Sequence, residues 1–172
     1  MARVLLGLGT NVGDRAAHLR AALMALRNVV AIRALSDVYE SEPYGHADQG
    51  RFWNMAVAAD TDAAPDALLQ TLQALEVQLG RVRTFRMGPR VIDIDILFCD
   101  DVVLDGDALT LPHAGVLDRV FVLRPVLDIA PAMRHPVTGR ALTEHLDSLD
   151  EGGLVRIGDA AAALGGLDAL RP

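Results

Sequence analysis

Asp93 and Asp95 stand one residue apart in the segment GRVRTFRMGPRVIDIDILF, directly after arginines at positions 81, 83, 86 and 90. In an extended strand, residues two apart project from the same face, so both carboxylates point one way. Ile92, Ile94 and Ile96 then point the other way and can anchor the strand in a core. Two carboxylates held this close repel each other, and a divalent cation resolves that repulsion. Oxygen ligands without paired cysteines favour Mg²⁺ over zinc, and Mg²⁺ held by few carboxylates keeps coordination positions for phosphate oxygens. Arg81, Arg83, Arg86 and Arg90 add forked donors that suit phosphate. Cations on one side and a metal–carboxylate pair on the other would cradle a polyphosphate, with Gly88 and Pro89 setting the bend between them. Each part also has a plainer reading. The D-x-D pattern fits a surface strand with two solvated acids, and the arginine run fits a loop that offsets an acidic surface.

The rest of the chain narrows the choice. It has 172 residues, with 16 basic and 23 acidic side chains and a net charge of −7. Every basic residue is arginine. An acidic chain is no general nucleic-acid binder, and the short arginine run is interleaved with a single aromatic, Phe85. Glycines at 7, 9 and 13 miss the G-x-G-x-x-G spacing, and no G-K-[ST] follows, so phosphate chemistry must use another architecture. The single Cys99 excludes an internal disulfide framework and a cysteine-rich metal site. MARVLLGLGTNVGD reads as a strand and turn rather than a signal peptide, and no apolar run is long enough for a membrane span. A reducing, cytoplasmic setting is expected.

The elements that must position these residues follow from period and punctuation. Residues 2–8 read as a strand, and Asp14 starts a helix over Arg15–Leu26 with Leu19, Leu23 and Leu26 at helical spacing. VVAIRALSDVYES reads as one returning strand, EPYGHADQGR (42–51) as a long polar loop and FWNMAVAADT as the next strand. Pro65 opens a helix through Leu79 with a stripe of Leu68, Leu72, Leu75 and Leu79. VIDIDILF is a strand, DDVVLDGDALTLPH a short hairpin with its exit loop, VFVLRPVLDIAP a short helix broken near its prolines, and RALTEHLDSL a further helix. The order strand–helix–strand–strand–helix–strand suits an α+β domain of ferredoxin-like type. Residues 1–150 read as that domain, and the glycine- and alanine-rich residues 151–172 read as a weakly patterned tail of it, peripheral or only partly ordered.

The stretches LGLGTNVGDR, SDVYESEPYG, DQGRFWNMAV, LQALEVQLGRVR, RMGPRVIDIDILF, LTLPH and DRVFVLRPVLDIAP run in that order between residues 3 and 146. Together they resemble the 6-hydroxymethyl-7,8-dihydropterin pyrophosphokinase family of folate biosynthesis. The resemblance implies a ferredoxin-like fold with a central antiparallel sheet and mobile catalytic loops. It implies transfer of the β,γ-diphosphate of ATP as a unit to the hydroxymethyl group of the reduced pterin, with release of AMP. The implied partners are ATP and pterin, with no nucleic acid, membrane or obligate protein partner.

By the same resemblance Asp93 and Asp95 hold two Mg²⁺ ions, and Gln73, Arg81 and Arg90 meet the triphosphate. Arg83 and Arg86 sit on a mobile catalytic loop. His113 and Arg119 match nucleotide and phosphate contacts, and Ile96 lies beside the adenine. Asn54 matches the reader of the pterin's pyrimidine edge, Phe121 one wall of its stack and Phe52 an aromatic at the loop's end. Ser41, Pro43 and Tyr44 match the segment whose backbone lines the rest of the pocket. Without the resemblance, His113 reads as a loop histidine with a structural hydrogen bond, and Phe52 and Phe121 as core residues. Trp53 reads as core packing. Met87, Thr84 and Ala114 depart from a tryptophan, a basic residue and a tyrosine found in some members. A noncatalytic nucleotide- or pterin-binding protein on the same scaffold is the alternative, and the intact Asp93–Asp95 pair argues against it.

Overall fold

A computed structural model describes residues 1–44, 48–81 and 88–167. The chain runs β1 (Ala2–Thr10), α1 (Arg15–Leu26), β2 (Ala31–Leu35), β3 (Val38–Ser41), β4 (Phe52–Thr61), α2 (Pro65–Gln78) and β5 (Asp93–Cys99). It continues through β6 (Leu104–Asp105), β7 (Thr110–Leu111), α3 (Val120–Ile129), α4 (Leu142–Leu146), β8 (Val155–Gly158) and α5 (Ala160–Leu164). The main sheet is ordered β5-β1-β4-β3-β8, β2 also pairs with β4, and all of its pairings are antiparallel. The hairpin β6–β7 stands apart.

Alternation along the strands sends side chains to two cores. On one face Val4, Leu6, Leu8, Ile94 and Ile96 pack with Leu19, Leu23 and Leu26 of α1 and Leu68, Leu72 and Leu75 of α2. Those helices begin where the sequence places them: the Asp14 side chain accepts the Ala17 N–H at 2.9 Å, and Pro65 occupies the first turn of α2. Gly80, at φ +92°, follows α2 in a conformation that disfavours any side chain. On the other face Leu5, Ala56, Ala58, Leu97 and Phe98 pack with Leu123, Val126 and Leu127 of α3 and Leu142 and Leu146 of α4.

Leu97 and Phe98 are consecutive yet share that second core, because the β1–β5 register slips between Leu5 and Leu6. The slip is a β-bulge: Leu6 faces Ile96, Leu5 faces Phe98, and Leu97 is the extra residue. Leu97 leans over Gly7, where an added Cβ would lie 3.2 Å from its Cδ1.

Three expectations change. The segment read as one returning strand divides at Ser36. The Ser36 N–H donates to the Ala56 carbonyl at 3.0 Å, and its hydroxyl accepts the Ala56 N–H at 2.8 Å, so a side chain takes a ladder position. The helix expected to break near its prolines is continuous from Val120 to Ile129 with Pro125 inside it. The missing N–H costs one bond, to the Phe121 carbonyl, and burial of Leu123, Pro125, Val126 and Leu127 against the sheet holds the helix. Finally, residues after Gly152, expected to be weakly patterned, contain a strand and a helix. β8 adds to the sheet edge beside β3, and Ala160, Leu164 and Leu167 join the core under α1. The Arg20 guanidinium donates to the Leu164 carbonyl at 2.6 Å. β8 is too short and too exposed to show a hydrophobic period, which is why composition hides it.

Candidate active site

The face that carries α3 also carries the predicted site, and β1 organises it. Gly9 pairs with Asp93 on one side and Asn54 on the other, while Gly7 pairs with Asp95 and Ala56. Directly paired residues share a face, so the two carboxylates and the Asn54 amide flank a strip of bare backbone. A Cβ at Gly9 would lie 3.4 Å from Asn54 Oδ1 and 3.8 Å from Phe52 Cδ1. The missing side chains leave the floor of a cavity of about 260 Å³. Its walls include Ser41, Glu42, Tyr44, Phe52, Asn54 and Phe121, and its far end holds Arg90, Asp93, Asp95 and Arg119.

Asn54 is 6% exposed, and its Nδ2 donates to the Ser41 hydroxyl at 2.9 Å. That bond fixes the amide so that its remaining donor and acceptor can face a ligand edge. The Phe121 and Tyr44 rings lie 6.1 Å apart at 55°. Aromatic walls beside one fixed amide suit a flat heterocycle with alternating donors and acceptors.

The acidic end is strained electrostatically. Burial, reinforced by the charges of Asp93 and Glu76, pushes the Asp95 carboxyl up to about 7. Arg81 donates to Asp93 Oδ1 at 2.7 Å, and Arg90 pairs with Asp93 Oδ2, so both oxygens of this carboxylate are engaged. Arg81 also pairs with Glu76. Glu76 is 3% exposed, and its Oε1 accepts the Ile94 N–H at 2.7 Å, which ties α2 to the strand between the two aspartates. Burial raises the Glu76 pKa despite these partners.

Sequence reasoning missed Glu76, although an acid four residues after Leu72 in a leucine stripe is a signal of a buried pair. It also missed a role for Asn11. Its side chain accepts the Arg90 N–H at 2.8 Å and donates to Gln49 Oε1 at 3.0 Å and the Gly50 carbonyl at 3.1 Å. One buried amide thus joins the ends of the 42–51 and 81–90 segments to β1.

The remaining predicted residues divide. Gln73 is exposed on α2 in a separate open cleft with Gln70, Ala74, Glu76, Val77 and Arg81, and the Arg81–Asp93 ion pair links that cleft to the cavity wall. His113 stands outside the cavity lining; its Nδ1 accepts the Gly115 N–H at 3.2 Å, and burial followed by the Arg119 charge lowers its pKa. The neutral ring therefore carries its proton on Nε2, as a donor. Pro43 lies between two lining residues without lining the cavity itself, and the Ile96 side chain is buried in the opposite core. Trp53 packs on that core too, but its indole N–H also donates to Glu40 at 3.2 Å and Arg15 stacks on its ring at 4.9 Å. Arg83, Arg86, Thr84 and Met87 lie outside the described residues.

An α+β domain with an acidic pair, arginines and an aromatic pocket on one sheet face is built to bring a phosphate chain to a flat heterocycle. Comparison with known proteins narrows the class. Residues 5–131 match the profile of the family described as 7,8-dihydro-6-hydroxymethylpterin-pyrophosphokinase, HPPK. A Methylorubrum extorquens protein named 2-amino-4-hydroxy-6-hydroxymethyldihydropteridine pyrophosphokinase is 43% identical over 91% of this chain and 99% of its own length. The Pseudomonas aeruginosa protein of that name is 43% identical over 90% of this chain and 96% of its own. The Schizosaccharomyces pombe folic acid synthesis protein fol1 is 40% identical over 87% of this chain, which spans only 21% of that longer protein. The crystal structure of Plasmodium falciparum HPPK-DHPS A437G shares the fold, with a TM-score of 0.70 and 17% identity over 85% of this chain and 45% of its own. The chain belongs to the HPPK family.

Proposed function

We propose that the chain is an ATP-dependent pyrophosphokinase that transfers the terminal pyrophosphate of ATP to 6-hydroxymethyl-7,8-dihydropterin and releases AMP. Family membership at 43% identity over nearly the whole chain supports the reaction class. The observation that carries the assignment to this site is the Asp93–Gly9–Asn54 row, which sets acid and amide over one cavity.

In this reading Asn54 and Ser41 hold the pterin's pyrimidine edge while Phe52, Tyr44 and Phe121 hold its faces. The hydroxymethyl oxygen then points along the glycine floor toward Asp93 and Asp95. That oxygen attacks the β-phosphorus in line, the bond from the β-phosphorus to the α,β-bridging oxygen breaks, and AMP carries away the electron pair. The hydroxyl proton leaves to solvent or a phosphate oxygen. Arg81, Arg90 and Arg119 hold the triphosphate, with Gln73 beside Arg81 and the Nε2 donor of His113 nearby. Arg83 and Arg86 complete the charge around the transferring group, and closure of the 42–51 and 81–90 segments over the bound substrates would exclude water.

Mg²⁺ fits the donors present. Asp93 and Asp95 offer hard oxygens on one face, and burial, with the charges of Asp93 and Glu76 adding to it, raises the Asp95 pKa, so a bound cation would relieve a carboxylate that is costly to ionise there. Among the described residues no group of three or more His, Cys, Asp or Glu could hold an ion; with two carboxylates, phosphate oxygens and water would complete the coordination of Mg²⁺. When bound, the metal neutralises phosphate charge and polarises the β-phosphorus. Arg81 and Arg90, now on Asp93, would exchange that carboxylate for phosphate oxygens as the nucleotide enters.

The ferredoxin-like assignment draws support from the β5-β1-β4-β2 order with α1 and α2 on one face. Among the described residues no helix is long and apolar enough to cross a membrane. A cytoplasmic setting, where ATP is at hand, completes the proposal. ³¹P NMR of ATP, reduced hydroxymethylpterin, Mg²⁺ and the protein tests it. AMP with a pterin diphosphate is the expected product pair; ADP with a pterin monophosphate would overturn the reaction class.

A further inference from the structure

Arg119 differs from its neighbours in what holds it. Arg81 and Arg90 both pair with Asp93, whereas among the described residues no carboxylate forms an ion pair with Arg119. Its guanidinium lies instead between a ring and a bare backbone. On one side Cζ sits 5.1 Å from the centroid of the Tyr44 ring, within cation–π range. On the other, a Cβ at Gly115 would lie 2.6 Å from both Cζ and Nε and 3.1 Å from Cδ. The residue four positions before Arg119 must therefore lack a side chain for the guanidinium to lie where it does. Gly115 is not among the glycines with positive φ, so steric room toward Arg119, not backbone freedom, is the constraint there. Val116, 1% exposed, anchors the same loop in the core beneath α3.

We propose that Gly115 and Tyr44 are positioning residues that form a seat for the Arg119 guanidinium, and that Tyr44 makes this seat part of the pterin wall. The Tyr44 ring faces Arg119 and also lies 6.1 Å from Phe121, so one exposed ring touches the cation on the phosphate side and the aromatic on the heterocycle side. A flat ligand stacked against Phe121 fixes Tyr44, and a fixed Tyr44 holds an unneutralised guanidinium at the phosphate end. Binding of pterin thereby strengthens binding of the nucleotide, and by linkage the nucleotide strengthens pterin to the same degree. The proposal rests on the assignment of Arg119 to the triphosphate.

Calorimetry with a nonhydrolysable ATP analogue and Mg²⁺, with and without 6-hydroxymethylpterin, tests it through a double-mutant cycle. Gly115→Ala displaces the flexible end of Arg119 without removing the charge. It is expected to weaken analogue binding about 3- to 30-fold, while in an Arg119→Ala background the same change alters binding less than about 2-fold. Tyr44→Leu approaches the seat from its other side. Loss of the cation–π contact should reduce the factor by which pterin strengthens analogue binding by about 2- to 5-fold. Parent-like binding by Gly115→Ala, or an equal loss with and without Arg119, overturns the seat, as does unchanged coupling in Tyr44→Leu. Should Arg119→Ala itself bind the analogue as the parent does, the phosphate role of Arg119 falls and the seat with it. Parent turnover followed by ³¹P NMR separates that failure from failure of the reaction assignment.

Discussion

Glu76→Ala and Glu76→Gln separate two jobs that one buried carboxylate performs. Its Oε1 accepts the Ile94 N–H at 2.7 Å, and its other oxygen pairs with Arg81. Ile94 is 3% exposed, so alanine leaves a backbone donor without a partner where water does not reach, at about 1–3 kcal/mol. Removing the aliphatic stem adds a packing loss of about 1 kcal/mol. The charge itself offsets little of this. Arg81 keeps Asp93 as a partner, and deletion of a carboxylate relieves a repulsion that acts on Asp95. Glu76→Ala is therefore expected to lose about 2–4 kcal/mol of stability. Glu76→Gln, whose amide oxygen still reaches the Ile94 N–H, should lose less than about 1 kcal/mol. Urea denaturation followed by circular dichroism reads both. A glutamine variant as unstable as the alanine one would refute the argument, because it would make charge rather than the backbone bond the stabilising term.

Asp93→Asn and Asp95→Asn should each fold normally by circular dichroism and lose most turnover across a Mg²⁺ titration; near-parent rates in both would defeat the metal assignment. Arg83→Ala and Arg86→Ala are expected to lower kcat by about 30- to 1,000-fold, corresponding to about 2–4 kcal/mol of transition-state stabilisation, with parent single-turnover rates as the contrary result. His135 is buried and accepts the Thr138 N–H on Nδ1, and burial followed by the charge of His145 lowers its pKa. The unfolded chain binds the proton more readily, so this histidine's contribution is full above about pH 6.5 and is lost as pH falls below it. The raised carboxyls of Asp95 and Glu76 act in the opposite sense, so the reading is a difference: from pH 7 to 5 the parent's urea midpoint should fall relative to that of His135→Gln, and parallel profiles would remove His135 as a contributor.

Local pattern was enough to place most of the frame. The D-x-D period put Asp93 and Asp95 on one face and the isoleucines in the core, and the leucine stripe of α2 packs as its spacing requires. Features that depend on distant partners were less legible. Nothing near Leu97 announces a bulge, because the slip is defined by its partner strand. Ser36 reads as an ordinary strand residue until Ala56 lies beside it. Pro125 reads as a helix breaker because the burial that outweighs the lost bond is tertiary. The cavity residues came from resemblance more than from period. Of these, Ser41, Tyr44, Phe52, Asn54, Arg90, Asp93, Asp95, Arg119 and Phe121 line one space, whereas Gln73, Ile96 and His113 lie outside its lining. Gly115 could not have been singled out, since its importance is the volume it leaves to another side chain.

The pairing of Gly9 with both Asp93 and Asn54 makes β1 a ruler. The strand spacing of about 4.8 Å, taken twice, sets the two flanking backbones about 10 Å apart across the glycine. That span is measured by peptide hydrogen bonds, which side-chain evolution cannot lengthen. The gap between the Asn54 amide and the acids across the glycines is therefore inherited from sheet geometry, whatever residues form the walls. A one-residue slip of either outer strand would turn its functional side chains into the opposite core.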